Sequence, residues 1–312
     1  MKYCILKGIE GWGDRLQCLL QAIEYCEKTK RTLIIDWRDT NWQQDRSDHI
    51  INYFSIKNIN TQSIENFCIN EKKIDSIVPD SWRDEIYNSD YQKFIYKKKY
   101  HHENQNLKIT EICKNQKKDF PENIVVYCGI KARSFKFKYF KYIDFSKEIK
   151  DQIEKTMNEY KLMKYQYNCI HLRNRSKHWF GVNLNNKRLK QRIKDKFAYK
   201  IDYFEFLQKK HKALNSNLPT IIISDEITQS KIFNKNYYNN ELIEIRASEE
   251  KAKNLCGTHK ILLKDKKQKH IINVQALVDF HLMIYSKNII NDEISLFSNM
   301  AKSIKKNDQP SI

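Results

Sequence analysis

Residues 3–38 read YCILKGIEGWGDRLQCLLQAIEYCEKTKRTLIIDWR, and this stretch decides the fold class. The run YCIL at 3–6 is short and apolar, as a buried strand requires. Leu16, Leu19, Leu20, Ile23 and Cys26 then recur at helical spacing, which predicts an amphipathic helix over 15–28. TLIID at 32–36 is a second apolar strand. Strand, helix and strand within about thirty residues form a βαβ unit, with a parallel pair and a right-handed crossover.

Between the first strand and the helix lie Gly8, Gly11 and Gly13, three of the six glycines in the chain. A G-x-G-x-x-G dinucleotide fingerprint needs a third glycine where this chain has Leu16. Asp36, at the end of the second strand, stands where a ribose-binding acid would sit. The plainer reading is a glycine turn that launches a helix. Neither reading accounts for Glu10, Asp14 and Arg15 together. A helix N-terminus favours anions and polar substrate groups, so these residues are candidates for chemistry.

Working outward, a further buried strand is expected at 123–130, and a helix at 146–160 reads as the hinge between two halves. Strands at 167–173, 219–225, 241–245 and 287–292 then alternate with helices at 201–214, 271–285 and 294–304. The alternation predicts a doubly wound α/β domain, whose ligands sit beyond the carboxyl ends of the strands. The polar residues at those ends are Arg173, Asp225 and Ser295. Residues 40–120 are irregular. A chain of 312 residues suits two domains, placed at 1–145 and 146–312.

Composition narrows the function classes. Hydrophobic residues at 40% suffice for real cores, and charged residues at 30% with a mean hydropathy of −0.75 indicate a water-soluble chain. No apolar run reaches roughly 18 residues, as a membrane span needs. The apolar stretch at the N-terminus is too short for a signal peptide, so a cytoplasmic protein is expected. Eight scattered cysteines lack C-x-x-C or finger spacing. Reduced, buried thiols and no metal site are expected. The net charge of +19 would attract nucleic acid, anionic lipid or acidic glycans. It is spread along the chain, and no RRM, KH or helix-turn-helix pattern accompanies it, which disfavours nucleic acid.

Several of these elements share one resemblance. GWGDRLQCLLQAIEYCEKTKRTLIIDWRDT at 11–40 resembles the opening of the NodZ-type bacterial fucosyltransferases. These belong with the protein O-fucosyltransferases in one superfamily. CIHLR at 169–173 resembles the superfamily's H-x-R element, and IIISDE at 221–226 its apolar strand before an acid. SLFS at 295–298 fits S-x-F-S, and YFKYIDFSKEIKDQIEK at 139–155 is similar to the connector helix. The likeness fades over 40–120 and 178–200, where acceptor selectivity would reside.

The resemblance implies a GT-B fold, two Rossmann-like domains facing a cleft, with no cofactor and no metal. It implies an inverting glycosyltransferase that takes a GDP-sugar, mostly GDP-fucose. Arg173 would clamp the donor diphosphate, with His171 beside it. Asp225 would lie near the base and ribose. Ser295, Phe297 and Ser298 would hold phosphates, and Gly11 and Gly13 would line the donor site. Arg175, Lys177 and His178 follow the H-x-R element as further candidates. Glu10 in E-G-W matches a glutamate that acts as base in some protein O-fucosyltransferases, with Asp14 as second choice. Arg15 either serves the site or pairs with Asp14 or Asp36. The implied acceptor is a glycan or lipid-linked glycan of a bacterial surface polysaccharide. The protein would then work peripherally at the inner face of the cytoplasmic membrane, held by anionic lipid. The alternative is a basic nucleotide- or nucleic-acid-binding protein without transfer activity.

Overall fold

The βαβ unit of the opening stretch is the centre of the first sheet. The computed structural model describes residues 1–8, 11–38, 52–70, 76–89, 91, 95, 119–129, 135–173, 200–224, 227–245, 266–291 and 295–308. Along the chain these form β1 (Tyr3–Lys7), α1 (Trp12–Thr29), β2 (Thr32–Asp36), β3 (Phe54–Ile56), β4 (Thr61–Gln62), α2 (Ile64–Asn70), β5 (Ile77–Val78), β6 (Ile124–Cys128) and β7 (Ile143–Phe145). There follow α3 (Lys147–Glu159), β8 (Asn168–Leu172), α4 (Lys200–Lys212), β9 (Thr220–Ser224), α5 (Ile227–Tyr238), β10 (Ile243–Glu244), α6 (Lys266–Tyr285), β11 (Asn288–Ile290) and α7 (Leu296–Asp308).

Two compact units divide the chain. The first holds Met1–Asp151, Leu262–Val274 and Ser303–Ile312; the second holds Gln152–Ile261 and Gln275–Lys302. In the first, a parallel sheet runs in the order β4-β2-β1-β6-β5. Tyr3 pairs with both Thr32 and Ile124, and Lys7 with both Asp36 and Cys128. Alternate residues of a strand face opposite sides. Tyr3 and Ile5 join Ile34, Phe67, Trp82 and Val126 in one fully dry cluster. Leu16, Leu19, Leu20 and Ile23 of α1 are completely buried, as their spacing predicts. The helix begins at Trp12, earlier than the apolar pattern suggests, because Gly11 is its N-cap in extended conformation. β3 and β7 form a separate antiparallel pair.

The second unit carries a parallel sheet in the order β10-β9-β8-β11. Its core joins Ile170 and Leu172 of β8 to Ile222, Leu207, Phe233 and Ile290. The C-terminal half of α6 is buried nearly all round: Leu277, Val278, Phe280, Leu282 and Met283 have no exposed surface. A helix of that kind belongs inside a core. α5 went unread in the sequence, since ITQSKIFNKNYY has little apolar periodicity.

The amino edge of the first sheet hangs on Arg31. Its side chain is wholly buried, and it donates to four carbonyls: Tyr3 and Asn123 through Nη1 at 3.1 and 3.0 Å, Phe120 and Glu122 through Nη2 at 2.7 Å each. Nε donates to Asp119 Oδ1 at 2.7 Å. One guanidinium thus ties carbonyls of β1 to those of the approach to β6. Burial pushes the Asp119 carboxyl up, but hydrogen bonds from Lys2, Arg31 and Tyr25 outweigh it and hold it below its usual range. Arg31→Ala should therefore cost about 1–3 kcal/mol of stability, the range for removing a hydrogen-bond partner from buried polar groups. Urea denaturation reads it as a lower midpoint with an unchanged slope.

Candidate functional site

Both parallel sheets offer a carboxyl edge, and their own side chains make the two edges different. In the first unit, β1 ends in Lys7 and β2 in Asp36, both with fully buried side chains, and Lys7 Nζ lies 2.5 Å from Asp36 Oδ2. Lys7 also donates to the Ile86 carbonyl at 2.6 Å and sits over the Trp82 and Tyr91 rings. Arg38 Nε closes on Asp36 Oδ1 at 2.8 Å. Burial alone would raise the Asp36 carboxyl, yet the charges of Lys7 and Arg38 win and lower it. Asp36 is thus committed to Lys7 and Arg38. It is not the partner of Arg15, and no surface of it remains for a ribose.

The glycine loop begins over this pair. The Gly8 carbonyl accepts from the Tyr91 hydroxyl at 2.8 Å, and its N–H donates to the Asp36 carbonyl at 3.2 Å. A methyl group on Gly8 would lie 2.2 Å from Arg15 Nη1 and 2.4 Å from Trp37 Cδ1. Glycine is required there by close approach. Arg15 is 1% exposed and stacks on Trp37, with its guanidinium carbon 5.3 Å from the ring centre. Trp12 joins Trp37, Phe54 and Phe145 in an aromatic cluster with ring separations of 5.7–6.3 Å. Gly13 is buried inside the first turn of α1. Asp14, in the same turn, and Gly11 remain half-exposed. Glu10 lies outside the described residues.

The second edge is built from other materials. The chain leaves β8 toward β9 and β10 on one side, then returns to place β11 on the other. The carboxyl ends of β8 and β11 therefore flank a topological switch point, where open α/β sheets bind ligands. β8 ends in His171 and Leu172, with Arg173 following. His171 is 3% exposed, and its ring centre lies 5.7 Å from that of Phe297, which in turn lies 5.4 Å from Phe280. The H-x-R and S-x-F-S elements, more than a hundred residues apart, are thus brought into contact. Arg173 is half-buried, and its backbone N–H donates to the Tyr203 hydroxyl at 3.2 Å.

At the start of α7 the Ser295 carbonyl accepts the Asn299 N–H at 3.0 Å, so Ser295 occupies the N-cap position. Ser298 has no exposed surface; its hydroxyl accepts from Asn291 Nδ2 at 2.9 Å and lies 3.4 Å from the Ser295 carbonyl. Its hydroxyl is engaged inside the fold rather than at the surface of the site. Asn291 and Tyr203 are the residues that sequence reasoning missed. Asn291 had a signal: it is polar and ends an apolar strand, as Arg173 does. Tyr203 had none. Asp225, Arg175, Lys177 and His178 lie outside the described residues. Among the described residues no three His, Cys, Asp or Glu side chains cluster as metal ligands would, and no helix is long and apolar enough to cross a membrane.

No protein-family model and no curated protein matches the chain. Solved structures do. The fold is similar to that of the fucosyltransferase NodZ from Bradyrhizobium, with a TM-score of 0.64 at 18% identity over 97% of this chain and 92% of that one. It is similar to NodZ α-1,6-fucosyltransferase soaked with GDP-fucose, with a TM-score of 0.62 at 16% identity over 97% and 93% of the two chains. POFUT1 in complex with GDP-fucose follows, with a TM-score of 0.54 at 12% identity over 97% and 93%. The architecture of this chain, two units each built on a parallel Rossmann-like sheet, is the GT-B fold of those fucosyltransferases.

Proposed function

We propose that the protein is an inverting glycosyltransferase, fucosyltransferase-like, that uses a GDP-sugar, with GDP-fucose the first donor to try. The observation that carries this reading is the contact between His171 and Phe297, which joins the H-x-R strand end to the S-x-F-S helix start. Likeness of fold to a structure soaked with GDP-fucose and to one in complex with it supports the same donor.

The chemistry asks for two things. Glycosyl transfer passes through an oxocarbenium-like state while negative charge develops on the departing diphosphate. A guanidinium can hold that charge bidentately, and a helix N-terminus adds unpaired N–H groups. Arg173 and the first turn of α7 take these roles, with Ser295 at the cap and His171 and Phe297 packing the two together. Ser298 acts through its place in the turn. Asp225 is assigned to the ribose, Arg175 and Lys177 to the same donor side, and Gly11 and Gly13 to close backbone approach. The acceptor hydroxyl must lose its proton to a base. Glu10 is the first choice and the half-exposed Asp14 the second. Donor binding is assigned to residues 146–312 and the acceptor side to residues 1–145. The reading calls on no cofactor and no metal, in keeping with the family it resembles. The acceptor is a glycan or lipid-linked glycan of a bacterial surface polysaccharide, met in the cytoplasm at an anionic membrane that the +19 charge attracts.

GDP at about 100 times its Kd should stabilise the protein by about 2.7 kcal/mol, a thermal shift of about 5 °C for a chain of this size. Stabilisation by NAD alone, or by no nucleotide, would overturn the reading. Arg173→Ala should lose the GDP shift and slow transfer about 10²–10³-fold. Glu10→Gln should keep donor binding while turnover collapses; unchanged turnover would remove Glu10 as the base and leave Asp14 to test.

A further inference from the structure

We infer that Asn291 is a positioning residue for the donor phosphates, acting through the first turn of α7. The inference rests on the proposed reading of this site. Asn291 follows β11 and is 2% exposed. Its Nδ2 donates to Ser298 Oγ at 2.9 Å and to Asn299 Oδ1 at 2.8 Å. Both N–H bonds of one side-chain amide are spent on neighbouring residues of the same helical turn. Ser298 Oγ continues the chain to the Ser295 carbonyl at 3.4 Å, and that carbonyl also accepts the Asn299 N–H. The carboxyl end of β11 is thereby tied to the N-cap of α7.

The arrangement has a physical purpose beyond filling space. An apolar side chain at 291 could pack against α7, but it would make no directed bond to the first turn. Two directed bonds fix rotation and height together, and burial keeps water from competing for them. Phosphate binding by a helix N-terminus depends on where its first N–H groups are held, to a fraction of an ångström. β11 lies directly beside β8, with Ile290 paired to Ile170. Anchoring α7 to β11 therefore sets the helix start against the strand that carries His171 and Arg173. On this view the Ser298 hydroxyl is a link in the anchor.

The test is calorimetric titration of the full chain with GDP and with guanosine, which lacks the phosphates. Wild type, Asn291→Ala, Ser298→Ala and the double variant are compared. Asn291→Ala should weaken GDP about tenfold and leave guanosine within about twofold. Ser298→Ala should weaken GDP in the same direction, and the double variant should be no worse than Asn291→Ala, as expected for residues in one hydrogen-bonded chain. A purely structural role predicts an equal loss for both ligands. That result, or unchanged GDP affinity, overturns the assignment. Ser298→Ala removes a single oxygen and keeps the test decisive where Asn291→Ala fails to fold. A wild-type chain that does not bind GDP overturns the glycosyltransferase reading itself, and this inference with it. GDP binding by wild type with indifferent variants overturns only the role of Asn291.

Discussion

The ion pair of Lys7 and Asp36 constrains everything built at the carboxyl edge of the first sheet. Both side chains are sealed from water, so each needs its full set of partners in place. Lys7 finds them in Asp36, the Ile86 carbonyl and two aromatic faces; Asp36 finds them in Lys7 and Arg38. Such a pair tolerates one register of β1 on β2, because a slip of one residue would leave two bare charges in a dry core. Gly8, Tyr91, Trp37 and Arg15 are then stacked above it. Among the described residues, Asp36 and Lys7 have no surface left for a ligand.

The second sheet follows the same topology with different materials. Where the first spends a lysine and an aspartate, the second places Asn291 and His171, neutral or weakly basic groups that bind helix α7 rather than each other. Its strand end is followed by a half-buried arginine rather than a closed pair. The two sheets thus differ at this edge: one carries a buried ion pair, and the other a helix start followed across the switch point by a half-buried arginine.

The parts of this that could be read in the sequence were those governed by local pattern. The strands at 32–36, 124–128, 168–172 and 220–224 are short, mostly apolar runs, as buried parallel strands are. Strand order was not legible, because every such run looks alike and the pairing of β1 with β6 depends on residues far apart. β3 and β5 were missed in the irregular stretch, and β7 at 143–145 lies at the start of the segment likened to a connector helix; each is only two or three residues long. In the site, Arg173, His171, Ser295 and Phe297 were legible as motifs. The inward turn of Ser298 was not, since a hydroxyl at a helix start reads the same whether it faces a ligand or a buried asparagine. Asp36 had the right position for a sugar-binding acid, and only the three-dimensional placement of Lys7 and Arg38 shows it to be spoken for.

The central place of β1 has a consequence for how the chain is made. β1 and β2 emerge from the ribosome together with α1, but β6 follows only about ninety residues later. At about 5–20 residues per second, one side of β1 waits on the order of ten seconds for its neighbour. During that interval a largely apolar strand presents open N–H and C=O groups, the kind of edge that recruits other chains. Arg31 cannot help at that stage, because most of its carbonyl partners lie at 120–123. The nascent protein therefore carries an open edge on β1 until residue 128 has been added.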